Sequence, residues 1–228
     1  MNTSLLNLLH LSDPTLPIGG FSHSAGLETY VQEKIVKDRA SATAFITEML
    51  SRNLKYTDAA FVSMAYDAAE KKDLQKILEL DEECTAVKLP MEMRQASKKL
   101  GMRLQKIFQP LHKSDLVKTI AEKISAQETS GNYCIVFGLI AQSLQIPKPD
   151  ALHGFYYNAV AGFVTNCVKL IPLGQQDGQE MLFSLLPSIQ QLTAETMDID
   201  IDMIGLCCTG FDIRCMQHEQ LYSRLYMS

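Results

Sequence analysis

Residues 151–171, "ALHGFYYNAVAGFVTNCVKLI", are apolar nearly all the way round a helical wheel. A helix without a polar face has to lie among other helices. A second stretch, 134–144 ("CIVFGLIAQSL"), has the same character. Two such segments in one chain require amphipathic helices to wrap them, and the rest of the sequence supplies these. Ala42, Phe45, Ile46, Met49 and Leu50 form one stripe at i, i+3, i+4 spacing, and Leu74, Ile77, Leu78 and Cys84 form another. Met93, Ala96, Leu100, Leu104, Ile107, Phe108 and Leu111 make a longer one, and Leu116, Val117, Ile120, Ala121 and Ile124 repeat it. Each stripe is the buried face of a helix. No alternating β pattern precedes residue 198. The expectation is an all-α, single-domain orthogonal helical bundle of about ten helices over residues 1–228.

Punctuation agrees with that reading. Asp38, Ser41, Asp73, Ser114 and Ser130 stand near helix starts as candidate N-caps. Pro90, Pro110, Pro147, Pro149 and Pro187 are expected at boundaries or just inside starts. Gly154, Ala159, Ala161 and Gly162 are small enough to let neighbouring backbones approach the 151–171 helix.

The last 31 residues behave differently. In 198–228, Asp alternates with Ile or Met, two glycines follow, and the pattern reads as an extended segment and then a short helix. Ile199, Ile201, Met203, Ile204, Leu206, Phe211, Leu221, Tyr222, Leu225 and Tyr226 make this tail too apolar to be left in water. It docks on its own domain, on a second copy or on a partner.

The opposite end carries the densest cluster of turn residues. In "LSDPTLPIGGFSHSAGLETYV", Pro14 and Pro17 stiffen the exit from the first helix, and Gly19 and Gly20 admit backbone angles closed to other residues. Ser22 or Ser24 caps the next helix, with Glu28 in its first turns, where the helix dipole favours an anion. Phe21 is held by a rigid loop, either packed into the core or presented to a partner or a dimer mate.

Composition narrows the function. With 21 Lys and Arg against 26 Asp and Glu, the net charge is −5, and no basic run offers the footprint that phosphate backbones need. Nucleic acid is therefore not an expected partner. The longest apolar run is far short of the roughly 20 residues that span a bilayer, so no membrane segment is expected. No leader-like N-terminus is visible. The expected location is cytoplasmic, where the 6 cysteines would be thiols.

Motifs for catalysis are missing. There is no phosphate loop, no GxGxxG, no GxSxG elbow and no HExxH. Ser22, His23 and Ser24 could suggest a nucleophile and a base, but chain neighbours do not face each other, and turn hydrogen bonds explain them better. Cys207, Cys208, Cys215 and His218 are soft ligands that could store nickel or zinc, yet their spacing matches no closed structural site. Packing within a docking tail is the competing reading. Asp198, Asp200 and Asp202 read as a solvated acidic edge. Lys169 stands in the last turn of the central helix, where a cation suits the helix dipole. The polar "PLGQQDGQ" after it reads as an exposed loop that could equally serve binding.

Three segments, in order, resemble the signatures of the UreF family of urease accessory proteins: "LLHLSDPTLPIGGFSHSAGLE", "VKLIPLGQQDGQ" and "HEQLYSRLYMS". The sequence departs from the family pattern at His23, at Thr29-Tyr30 and at Gln217. The resemblance implies an all-helical, dimeric, non-enzymatic protein with no cofactor. It implies a bridge between a second accessory protein (UreD, or UreH) and the GTPase UreG, docked on apo-urease for nickel insertion, with GTP hydrolysis as a step it could regulate. Carried over by position, it makes His218, Glu219, Tyr222, Ser223, Arg224 and Leu225 the UreD-facing residues of a tail that could be mobile in the free protein. It makes Lys169, Gln175 and Gln176 the UreG-side contacts.

Overall fold

The computed structural model describes residues 3–227, apart from the side chain of Phe21, and among them it contains helices and no strand. In order these are α1 (Ser4–Leu11), a 3-10 turn (Gly20–Ser22), α2 (Leu27–Gln32), α3 (Arg39–Glu48), a π-helical segment (Met49–Ala59) and α4 (Ala60–Glu70). Then come α5 (Leu74–Val87), α6 (Met91–Phe108), α7 (Asp115–Ser125), α8 (Tyr133–Ser143) and α9 (Lys148–Leu170). The chain ends with α10 (Gln175–Met197), a 3-10 turn (Ile201–Met203) and α11 (Thr209–His218). The stretch from α3 through the π segment to α4 is one continuous rod, so the described residues form ten helices, as the periodicity predicts.

The two all-apolar segments take the central places, though not equally. Every residue from Cys134 to Ala141 of α8 is buried, between α4 and α6. Gly138 makes this possible: a Cβ there would lie 2.5 Å from the carbonyl oxygen of Val62 on α4. α9 packs along α10 but keeps one open strip, Tyr157, Gly162, Thr165 and Lys169. Gly154 does admit close packing, since a Cβ there would meet Ser12 Oγ at 2.3 Å, whereas Gly162 faces open space. The wheel missed this strip because small and neutral residues occupy it, and Thr165 returns its hydroxyl proton to the Ala161 carbonyl.

Asp38, Ser114 and Asp73 accept from backbone N–H groups at their helix starts, as expected. Ser41 is instead the third residue of α3 and completes a capping box with Asp38. Ser130 lies before α8 and gives its N–H to buried Asp81. Pro187 is inside α10 rather than at a boundary. It is tolerated there because the residue is exposed, so the carbonyl it leaves unbonded can turn to water. The segment after α10 is not extended: Asp200 accepts from the Asp202 N–H and winds it into a 3-10 turn. Gly205 then donates to the Tyr56 carbonyl at 2.8 Å, pinning the start of the tail to the π segment.

Candidate functional site, where the two chain ends meet

The N-terminal turn is built by short-range hydrogen bonds. Asp13 accepts from both the N–H and the hydroxyl of Thr15 at 2.7 Å. Ser22 Oγ donates to the Gly19 carbonyl at 2.7 Å, and Arg103 reaches over from α6 to the Ile18 carbonyl at 2.9 Å. Gly26, at φ 76°, opens α2 with no side-chain cap. Ser24 is fully buried, and its hydroxyl lies 3.5 Å from the Glu28 N–H, a weak cap at most. The serines thus belong to the turn and do not form a nucleophile–base arrangement.

Glu28, in the first turn of α2, is 5% exposed. From the far end of the sequence, His218 closes α11 with no exposure at all. Its Nε2 lies 3.3 Å from Glu28 Oε2, across 190 residues of chain, and its Nδ1 lies 2.7 Å from Glu92 Oε2 on α6. Both ring nitrogens face carboxylate oxygens. Glu28 then accepts the Leu225 N–H at 2.8 Å and the Tyr226 N–H at 3.2 Å. Glu92 also accepts from Arg224 at 2.6 Å. The Met227 N–H donates to the Ser22 carbonyl at 2.9 Å, which lays this part of the tail on the turn itself.

α11 is seated on α2 by close packing. A Cβ on Gly26 would lie 2.7 Å from Cys215 Sγ, so only glycine leaves room for that thiol. Thr29 Oγ1 donates to the Arg214 carbonyl at 3.1 Å, and Arg214 pairs with Glu33 at 2.8 Å. Burial pushes the Cys215 thiol far above the ordinary range and also raises Asp212 and Tyr226. Turned outward, among polar Gln217, Gln220, Ser223 and Arg224, are the apolar side chains of Ile213, Met216, Tyr222, Leu225 and Met227, with Tyr222 completely exposed at 106%.

The residues expected to carry function divide accordingly. Tyr222, Ser223, Arg224 and Leu225 are on the surface, and Glu219 is half-buried. His218 is inside and acts on the tail from beneath. Lys169 is exposed at the end of α9, near which Asn166 donates to the His23 carbonyl at 2.9 Å, so this helix end lies on the side of the turn. Gln175 and Gln176 are exposed but start α10 rather than lying in a loop, because Asp177 accepts the Gly174 N–H at 2.9 Å and closes the helix start. The Phe21 side chain lies outside the described residues.

Two residues of the site were missed in sequence. In sequence Glu28 reads only as an anion suited to the helix dipole, and nothing singles out Glu92. The available signal was local: each carboxylate stands in an apolar setting, "GLETYV" and "PMEMR". The four soft tail ligands do not converge. Cys207 is exposed, Cys215 is packed under Gly26 and His218 faces two glutamates. Among the described residues no group of three or more His, Cys, Asp or Glu is placed to hold a metal ion. No helix among them is long and apolar enough to cross a membrane.

Comparison with known proteins adds the following. Residues 36–186 match the sequence model of the UreF family. The urease accessory protein UreF of Actinobacillus pleuropneumoniae serotype 5b (strain L20) is 47% identical over 221 residues, 97% of each chain. That of Haemophilus influenzae (strain PittEE) is 45% identical over 226 residues, 99% of this chain and 96% of its own. That of Sporosarcina pasteurii is 36% identical over 202 residues, 89% of this chain and all of its own.

Proposed function

The chain belongs to the UreF family of urease accessory proteins, and from that membership we propose that it is a non-catalytic, cytoplasmic scaffold of nickel insertion that joins UreD (UreH) to the GTPase UreG on apo-urease. The observation that most supports this reading is the meeting of the two terminal signatures at Glu28 and His218. A buried set of charged hydrogen bonds holds the tail in one path and turns Tyr222 and Leu225 outward. Preorganised aromatic and aliphatic side chains of this kind lose little entropy on docking. The tail is the UreD face, and Lys169 with Gln175 and Gln176 forms the UreG face. The protein offers surface, and the nucleotide chemistry that could be regulated through it belongs to the GTPase.

A homodimer forms through another face. Leu5, Leu6 and Leu9 of α1 and Phe183 of α10 stand exposed beside a groove of about 680 Å³ lined by Leu8, Tyr157, Leu186 and Ile189. A ridge and a groove on the same face are what a two-fold self-contact uses.

The test is co-purification with UreD and UreG. Removing residues 211–228 would be a poor probe, because Phe211, Cys215 and Tyr226 belong to the core. Tyr222→Ala combined with Leu225→Asp spares it. That variant should melt like the parent and bind UreD at least tenfold more weakly, a loss of about 1.4 kcal/mol or more. Undiminished co-elution with UreD would remove the tail from the contact.

A further inference from the structure

Cys84 on α5 and Cys134 in the first turn of α8 are 50 residues apart in sequence and entirely buried, and their Sγ atoms lie 3.4 Å apart. Closing to the disulfide distance of about 2.05 Å needs a shift of roughly 1.4 Å, within the reach of small side-chain rotations. An isolated buried thiol is inert filler. Here each sulfur has its resolving partner already in contact.

The surroundings are not those of filler. Lys88, one turn beyond Cys84, is buried and paired with Asp58 at 2.7 Å. Lys88 and Tyr133, the chain neighbour of Cys134, line a cavity of about 170 Å³. That cavity shares His23, Leu54, Tyr133 and Asn158 with a larger recess of about 270 Å³ beneath the N-terminal turn. Neither sulfur lines these spaces, so peroxide reaches the pair through a local opening past Lys88 and Tyr133.

We propose that Cys84 and Cys134 are an oxidisable dithiol, a modification site at which hydrogen peroxide closes a disulfide between α5 and α8. One sulfur, as thiolate, attacks a peroxide oxygen. The S–O bond forms as the O–O bond breaks, and the departing hydroxide takes up the first thiol's proton as water. The second sulfur attacks the sulfenic sulfur. The S–S bond forms, the S–O bond breaks, and hydroxide leaves with the second thiol's proton as another water. The two thiols lose two electrons in all, and the peroxide is reduced to two waters. Burial holds the Cys134 thiol well above the ordinary range, with Lys88 opposing it, so the pair reacts more slowly than exposed Cys207. The bond would run beside an existing link, since Asp81 on α5 already binds the backbone just ahead of α8.

The experiment uses the full chain carrying Cys207→Ser and Cys208→Ser, exposed to hydrogen peroxide while folded. Remaining thiols are then alkylated in denaturant, and the protein is digested and weighed. The expected product is one joined peptide pair, containing Cys84 and Cys134, lighter by two hydrogens than its parts and separated again by dithiothreitol. The oxidised protein should also melt at a higher temperature than the reduced one. Full alkylation of both thiols, after a dose that oxidises Cys207 completely in the unsubstituted chain, would overturn the proposal. So would separate sulfinic acids, or pairing of either residue with a different cysteine. Neither terminal face takes part, so the result is independent of the UreD and UreG assignments.

Discussion

Asp81 and Glu28 are both carboxylates with almost no solvent exposure, yet their partners differ in kind. Asp81 receives five neutral donors at 2.5–2.9 Å: the Thr129 hydroxyl, the Ser130, Gly131 and Asn132 N–H groups and the Asn132 amide. Its partners sit in the loop that feeds α8, the most deeply buried helix. Glu28 is met by an imidazole and by the backbone of residues 225 and 226, close to the end of the chain. The Asp81 knot cannot open without loosening the centre of the bundle. The Glu28 clamp holds the backbone of the last tail residues, and its opening is expected to free them before α11, whose Phe211 and Cys215 belong to the core. A permanent joint and a releasable one are thus built from the same functional group, and the difference lies in what else moves with the donors.

The largest expected effect comes from breaking the permanent joint. Asp81→Ala strands three backbone N–H groups, each costing about 1–3 kcal/mol when unpaired, while the Asn132 amide keeps the residue-81 carbonyl and Thr85 Oγ1 as acceptors. Because water can enter the space vacated, the loss should settle at about 3–5 kcal/mol, read from the urea midpoint at constant slope. A loss under about 1 kcal/mol would mean that the knot is decoration and that the contrast with the clamp is false.

Glu28→Gln should cost less, about 1–2 kcal/mol, because it weakens charge-assisted bonds at the edge without opening the core. Its signature is regional. Amide exchange at Leu225 and Tyr226 should rise at least tenfold, while Ser130, Gly131 and Asn132 keep their protection. Equal acceleration at both places would show one cooperative unit instead of a detachable tail.

The two joints were also unequally visible in sequence. The helices around Asp81 announced themselves through stripes at 3.6-residue spacing, and α8 and α9 through their lack of a polar face. Periodicity reports burial, and burial fixed the core. It does not report polar partners: Asp81 lies within a helix it would be counted as decorating, and Ser130 looked like a cap. The clamp was legible only in halves. Each terminal signature stood out by its own composition, but the contact of His218 with Glu28 spans 190 residues and leaves no periodic trace. The π segment was invisible for a related reason, since its i→i+5 bonds move the inward face off the 3.6-residue stripe and require no residue type of their own. Its consequence, an acceptor at Tyr56 for Gly205, depends on where the tail passes.

Acidity offers the smallest and most selective probe of the contrast. His23, in the turn that receives the end of the tail, is held below the ordinary histidine range first by burial and then by Lys99 and Arg103, with Glu92 opposing. The unfolded chain takes up this proton near pH 6.5, the folded chain only at lower pH. The unfolded state therefore binds more protons between those two values, and stability rises with pH there. The contribution is complete above about pH 6.5 and is lost as pH falls through the folded value. Protonated His23 would sit one residue from Ser22, whose carbonyl holds the Met227 N–H. Mild acid should consequently raise exchange in the last tail residues first, with the Asp81 loop unaffected, and His23→Gln should flatten the pH dependence. If that variant keeps the full slope below about pH 6.5, the proton responsible is bound elsewhere, and the turn is as permanent a joint as the knot.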